Sequence, residues 1–282
     1  MTGYVKELHK HLTSYKHLRL GVKEAGVFLY KTKEVRCGHI LPKELKWLNI
    51  LEPFRKEIHE YLNARPDIRL HKYFHQLNSS QAFALNLFFP FFEGGPTSAA
   101  TLLRALDVKG SVSNWFPEHI ADAGEGTNVD VSWRDSNGNV VYCEVKLSEQ
   151  EFGKAAGEKR HLMKLQSIYA PALQPYCPAE LLQPDFFFAN YQILRNIWLA
   201  ARDPNATVVF LLPVRNEVLW KPLRAVIAKL EPPLRKRVQL AEMEDVLRKL
   251  DSDKSMPARL SMYVELLAEK YVLPHAFTAQ TV

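Results

Sequence analysis

Cysteine is scarce in this 282-residue chain: Cys37, Cys143 and Cys177 stand far apart and form no CxxC pair. An odd, scattered set argues against a disulfide framework and for a reducing, cytoplasmic setting. Long apolar runs are missing as well. Residues 88–92 and 186–188 are rich in Phe but far short of the ~20 residues that a membrane span needs. The start, Met1 to Lys6, has no apolar core of the kind a signal peptide carries. No internal repeat, low-complexity tract or long linker is present. Neither zinc-finger spacing nor a helix-turn-helix is found that would read a base sequence. What remains is an ordinary globular composition, 24% charged and 47% hydrophobic, long enough to bury a core in one large domain or two small ones.

The charge is unevenly spread. Residues 1–72 hold 15 Lys and Arg against 8 Asp and Glu, a net of +7, which leaves −1 for the rest of a chain whose total is +6. A basic segment beside a neutral-to-acidic remainder suits a phosphate-binding surface next to a metal site. It suits a solvated helical face equally well.

Apolar spacing predicts a helix over 43–64, broken by Pro53 and ended by Pro66. A second, buried helix is expected over 78–89, with Asn78 as N-cap, Gln81 at the capping-box position and Pro90 as terminator. A third is expected over 98–107, capped by Ser98. The period then changes. Residues 127–134 and 139–146 alternate polar and apolar positions, as half-buried strands do. Beyond residue 148 the chain reads as irregular. An apolar helix over 185–202, a buried strand over 207–214 and a helix over 216–230 follow, and two amphipathic helices near 240–250 and 256–271 close the chain. This order implies an α/β fold with a mixed sheet flanked by helices.

The hairpin carries the most information. A two-residue Asn137-Gly138 turn would mix polar and apolar residues on both faces. A three-residue loop, Ser136-Asn137-Gly138, with Gly138 left-handed, gives a cleaner result. One face then carries Asn128, Asp130, Ser132 and Arg134 with Tyr142, Glu144 and Lys146. The other carries Val129, Val131 and Trp133 with Val141, Cys143 and Val145. This register places Asp130 opposite Glu144, with Cβ atoms ~5 Å apart. Two carboxylates so close repel unless a cation compensates them, and a divalent metal is the natural choice. Lys146 lies one pleat further along the same face.

Asn128-Val129-Asp130, followed after a gap by Glu144-Val145-Lys146, resembles the signature of the PD-(D/E)XK, or restriction-endonuclease-like, nuclease superfamily, with Val129 in the place of proline. The segments His75–Gln81 and Leu147–Gly153 resemble an uncharacterised prokaryotic branch of it. Tyr191-Gln192-Ile193-Leu194-Arg195-Asn196 resembles the glutamine-bearing helix that follows the core in many members. The resemblance spans about residues 70–215. It implies a basic helical N-terminal extension over 1–70, a nuclease core over 71–215 and a helical C-terminal extension over 216–282, within a single domain. It further implies Mg²⁺-dependent phosphodiester hydrolysis of nucleic acid, DNA above all, with Mn²⁺ as a substitute metal. Asp130, Glu144 and Lys146 would be the catalytic set. Asp130, Glu144 and the Val145 carbonyl would bind the metal, and Lys146 would orient or deprotonate the attacking water. Gln192, Asn78, Ser79 and Gln81 would support the site or touch the strand. Residues 78–92 hold no carboxylate, so the number of metals stays open.

Blander readings stand beside these. The three charged residues could form a surface ion-pair ladder worth ~0.5 kcal/mol. His71 and His75 have metal-ligand spacing but no third partner, so surface or capping roles are expected. Residues 78–81 form a capping cluster that could also meet a phosphate. Lys154, Lys159, Arg160 and Lys164 could follow a nucleic-acid backbone or simply be solvated. A protein that keeps the fold and binds nucleic acid without cutting it is the alternative from another class. Hydrolysis of RNA or a small phosphoester is a third.

Overall fold

The computed structural model describes residues 2–126 and 128–274. Thr127, read above as the start of a hairpin strand, lies outside them. The chain divides into two compact units: residues 1–111 with 242–282, and residues 112–241. The first unit is therefore built from both ends of the sequence. Residues 71–111 fold within it and not with the hairpin.

In the first unit α1 (Gly3–Leu18) begins at Thr2, whose hydroxyl accepts the Val5 N–H. The next segment, read as helical, holds an antiparallel hairpin, β1 (Gly26–Tyr30) and β2 (Lys33–Cys37). Residues 31–36 are all exposed, so no buried face imprints alternation on the sequence. The expected break near Pro53 appears. A 3₁₀ turn over Lys43–Asn49 gives way to α2 (Glu52–Asn63), with Pro53 in its first turn.

Helix α3 (Ser80–Phe92) corrects two expectations. Its N-cap is Ser79, which accepts the Ala82 N–H at 3.3 Å, and not Asn78. Pro90 sits inside the helix without ending it. Proline has no N–H to give to the carbonyl of Asn86, one turn earlier. The Tyr263 hydroxyl fills that vacancy, donating to Asn86 O at 2.8 Å. Helix α4 (Pro96–Ala105) starts two residues before Ser98, with Gly95 as cap at φ 90° and Pro96 as its first residue. From the C-terminal segment come α11 (Met243–Ser252), packed on α4, and α12 (Ala258–Tyr271), packed on α1, α3 and α11.

A buried polar network ties these helices together. Asn86 Oδ1 accepts the Leu51 N–H at 2.9 Å, and its Nδ2 donates to Asn49 O and to the Tyr271 hydroxyl at 3.0 and 2.8 Å. Asn49 Nδ2 donates to the Phe74 and Gln76 carbonyls. The fully buried Lys270 donates to Asn49 O at 2.5 Å and Asn49 Oδ1 at 2.7 Å. Burial, aided by Arg55, holds the Lys270 ammonium well below the usual lysine range.

In the second unit a five-stranded sheet runs in the order β3-β4-β5-β6-β7. Strands β3 (Asn114–Ile120), β4 (Asn128–Arg134) and β5 (Val140–Val145) are antiparallel neighbours, and β5 pairs in parallel with β6 (Ala206–Leu212). This is the mixed sheet expected. The β4–β5 register is Val131↔Cys143, Ser132↔Tyr142 and Trp133↔Val141, the one chosen from face segregation. Gly138 stands at φ 84°, and Asp135 closes the turn by accepting the Gly138 N–H at 3.2 Å. Strand β4 keeps exposed ends at Asn128 and Arg134, but β5 is not half-buried: every one of its residues is buried.

Two strands of this unit went unread: β3, disguised by Pro117, and β7 (Val238–Glu242), taken for the start of a helix. The polar stretch after residue 148 contains α5 (Lys159–Lys164), a π turn over Leu165–Tyr169 and α6 (Ala170–Leu173). The helix read over 185–202 is two, α7 (Pro184–Ala189) and α8 (Tyr191–Arg202), divided at Asn190. Helices α9 (Glu217–Ala228) and α10 (Pro232–Arg235) complete the unit. Its apolar core joins Val140 and Tyr142 of β5, Val208 and Phe210 of β6, and Leu194, Ile197 and Trp198 of α8.

The buried lysine gives a signed pH dependence. The unfolded chain keeps an ordinary lysine near ~10.4, so between the two pKa values it binds more protons than the folded form, and stability rises with pH by about 1.4 kcal/mol per unit. As pH rises towards the ordinary lysine value the wild type is therefore expected to gain stability relative to Lys270→Met in urea unfolding. Parallel pH curves for the two proteins would show that Lys270 is charged when folded.

Candidate active site

The site forms where β4 and β5 part. Their last ladder pair is Val131–Cys143. Beyond it the carboxylate of Asp130 accepts the Val145 N–H at 2.7 Å, in place of a strand carbonyl. Among the described residues that amide is the one hydrogen-bond donor to Asp130, so Oδ1 is left without a partner. On the same side of β5, Glu144 is 2% exposed. Its Oε1 receives Lys146 Nζ at 2.7 Å and Gln192 Nε2 at 2.6 Å, and its Oε2 receives Asn196 Nδ2 at 2.8 Å. Arg195 stands 3.6 Å from Oε2.

Helix α8 lays Gln192, Arg195 and Asn196 over this face at i, i+3 and i+4 spacing. Gln192 also holds the chain that leaves β5. Its Oε1 accepts the Gly153 N–H at 2.9 Å, and its own N–H donates to Gly153 O at 3.0 Å. A Cβ at residue 153 would stand 3.3 Å from that Oε1, a tight approach that glycine avoids. Closer to the strand end, Glu149 folds the chain back by accepting the Leu147 and Ser148 amides at 2.7 and 2.9 Å. The first turn of α8 is anchored from behind, where the buried Glu125 accepts the Tyr169 and Tyr191 hydroxyls at 2.7 and 3.1 Å.

The two carboxylates differ electrostatically. Burial, the neighbouring Glu144 charge and Glu118 push Asp130 well above the usual carboxylate range, against the pull of Lys146. Burial acts on Glu144 too, but Lys146 and Arg195 outweigh it and hold its carboxyl below the usual range. Burial also disfavours the Lys146 ammonium, yet Glu144, Glu149 and Asp130 raise it above an ordinary lysine. Lys146 is therefore charged, and Asp130 carries the uncompensated half of the pair.

This donor set fits a divalent cation of the hard type. Among the described residues no cluster of three His, Cys, Asp or Glu could form a protein cage for a metal. Mg²⁺ does not require one: it takes one or two carboxylates and fills its remaining positions with water and substrate phosphate. Asp130, with its unpartnered oxygen, and Glu144 are the carboxylates that would serve, and the Val145 carbonyl is at the same strand end.

Asp130, Glu144, Val145, Lys146 and Gln192 thus come together. Asn78, Ser79 and Gln81 belong to the first unit, where each is engaged locally: Asn78 Nδ2 with His9 at 3.4 Å, Ser79 as the α3 cap, and Gln81 with the His71 N–H and the Arg69 carbonyl. His71 accepts the Tyr73 N–H, and the buried His75 meets the Val27 carbonyl in neither a surface nor a capping role. Lys154 pairs with Glu151, and Lys164 donates to Glu125 O. Sequence reasoning missed Arg195 and Asn196, although their spacing from Gln192 on a helix was a usable signal. It also missed Glu118, a β3 residue at φ 53°, whose strand Pro117 obscured.

A mixed sheet whose central hairpin carries Asp130 and the Glu144-x-Lys146 pair defines the chain as restriction-endonuclease-like. A family model described as "Restriction Endonuclease associating with ARP" matches residues 9–272, and the chain belongs to that family. No curated protein and no solved structure matches it. Among the described residues no helix is long and apolar enough to cross a membrane.

The charge balance at Glu144 predicts an asymmetric response to mutation. Glu144→Ala strands Lys146 and Arg195 as buried cations and is expected to cost about 3–5 kcal/mol in urea unfolding without divalent metal. Lys146→Ala leaves Glu144 with Arg195, Asn196 and Gln192 and is expected to cost less than half of that. Equal losses would show that the two side chains do not form the electrostatic unit described.

Proposed function

We propose that this chain is a metal-dependent nuclease that hydrolyses phosphodiester bonds in nucleic acid, with DNA as its substrate and Mg²⁺, or Mn²⁺ in its place, as its cofactor. The observation that carries the reading is the Asp130 carboxylate: it is raised by burial and by Glu144, holds a strand amide with one oxygen and keeps the other unbonded. That oxygen is set to take a cation.

Asp130, Glu144 and the Val145 carbonyl hold the ion. When bound, it supplies Lewis acidity towards a phosphoryl oxygen and lowers the pKa of water at the site. Lys146, an ammonium tied to Glu144, orients the attacking water and offsets the negative charge that grows on the phosphoryl group. Gln192 keeps Glu144 and the Gly153 backbone in place. The basic residues of 1–72 supply sequence-independent attraction for phosphates. The family description adds ARP as a partner.

The test is cleavage of single- and double-stranded DNA and RNA with Mg²⁺ or Mn²⁺. Wild type is expected to cut DNA only with metal, and Asp130→Ala and Lys146→Ala are each expected to lower kcat at least about 100-fold. RNA cleavage alone would move the substrate and keep the chemistry. A wild type that is inert yet binds nucleic acid with a steep salt dependence would be a silent binding protein on the same fold.

A further inference from the structure

We propose that Arg195 is a positioning residue of this site: its guanidinium fixes the Asn196 amide against Glu144 and anchors the strand backbone that carries Asp130. The proposal rests on the metal-dependent reading above and deepens it.

Arg195 is 2% exposed and lies on the α8 face that covers the site. One outer nitrogen donates to Asn128 O at 3.0 Å, two residues before Asp130 on β4. The other donates to Asn196 Oδ1 at 2.8 Å. Its separation from Glu144 Oε2, 3.6 Å, is too long for a good hydrogen bond. Lys146 already supplies the close counter-charge on Glu144, at 2.7 Å. Beside its Coulombic pull on Glu144, Arg195 therefore has a geometric part to play, delivered through its neighbours.

The Asn196 amide is the first of these. An amide presents an acceptor at one end and donors at the other, and the wrong end would set oxygen against a carboxylate. With Oδ1 claimed by Arg195, Nδ2 is the end that meets Glu144 Oε2, at 2.8 Å. The Asn128 carbonyl is the second. It fixes the stretch of β4 from which Asp130 reaches the Val145 amide, just where the ladder with β5 has stopped. One planar fork thus sets the positions of both carboxylates. The third nitrogen, Nε, is buried with no partner, so the guanidinium is held at some desolvation cost for the sake of its outer two. Lysine, a single point donor, cannot reproduce two bonds at a fixed angle.

The experiment uses the full chain with Arg195→Met, Arg195→Lys and Asn196→Ala. Circular dichroism and thermal unfolding identify folded variants, calorimetric titration gives Mn²⁺ affinity without catalysis, and kcat and KM are measured on DNA at saturating Mg²⁺. Arg195→Met is expected to weaken Mn²⁺ binding about 10- to 100-fold and to lower kcat while KM for DNA stays within about 2-fold. Asn196→Ala added to Arg195→Met as a double variant is expected to cost little further. Arg195→Lys keeps the charge, so a loss of Mn²⁺ affinity in that variant isolates the fork geometry, even if Arg195→Met does not fold. Wild-type Mn²⁺ affinity in Arg195→Lys overturns the proposal. So does tighter binding in Arg195→Met, which would make Arg195 a cation that competes with the metal. A wild type that binds no Mn²⁺ overturns the metal-site reading itself, an outcome seen before any variant is compared.

Discussion

A carboxylate taken out of water must find compensation for its charge, and in the second unit the surroundings of Glu144 follow from that requirement. Lys146 meets it from the same strand, and Gln192, Arg195 and Asn196 meet it from the helix above. Removing the charge from water is expensive, and ion pairing alone seldom recovers the cost without further hydrogen bonds. Hence the array of donors, and hence the packing of α8 on β5: the helix must be close enough to deliver them.

The same economy makes the two carboxylates unequal. Glu144 is satisfied on both oxygens, whereas Asp130 holds one strand amide and presents its other oxygen unbonded. A firmly held carboxylate beside one with an unbonded oxygen combines rigidity with an open valence.

The hairpin was the most legible part of the chain, since only one register separates polar from apolar faces, and Gly138 marks its turn. Asp130, Glu144 and Lys146 followed from that register directly. Less legible were features that depend on a distant partner. Pro90 reads as a helix end because nothing local reveals that the hydroxyl of Tyr263 will serve the orphaned Asn86 carbonyl. Strand β3 was hidden because Pro117 speaks against a strand unless its position in the sheet is known. Arg195 looked like one more helical arginine, for burial is a property of the neighbours and not of the residue. The placing of residues 71–111 with the first unit had no local signature at all.

The division of the chain has a consequence for how the protein is made. The sheet-bearing unit is one uninterrupted stretch, residues 112–241, whereas its neighbour draws on residues 1–111 and 242–282. During synthesis the inner stretch is complete while α11 and α12 have yet to leave the ribosome, so it can close first. The leading segment, already exposed, must wait for its last two helices, with the buried carbonyl of Asn86 and the side chain of Asn49 still unserved by Tyr263 and Lys270. The segment before residue 112 thus depends for its completion on residues that follow the sheet-bearing unit.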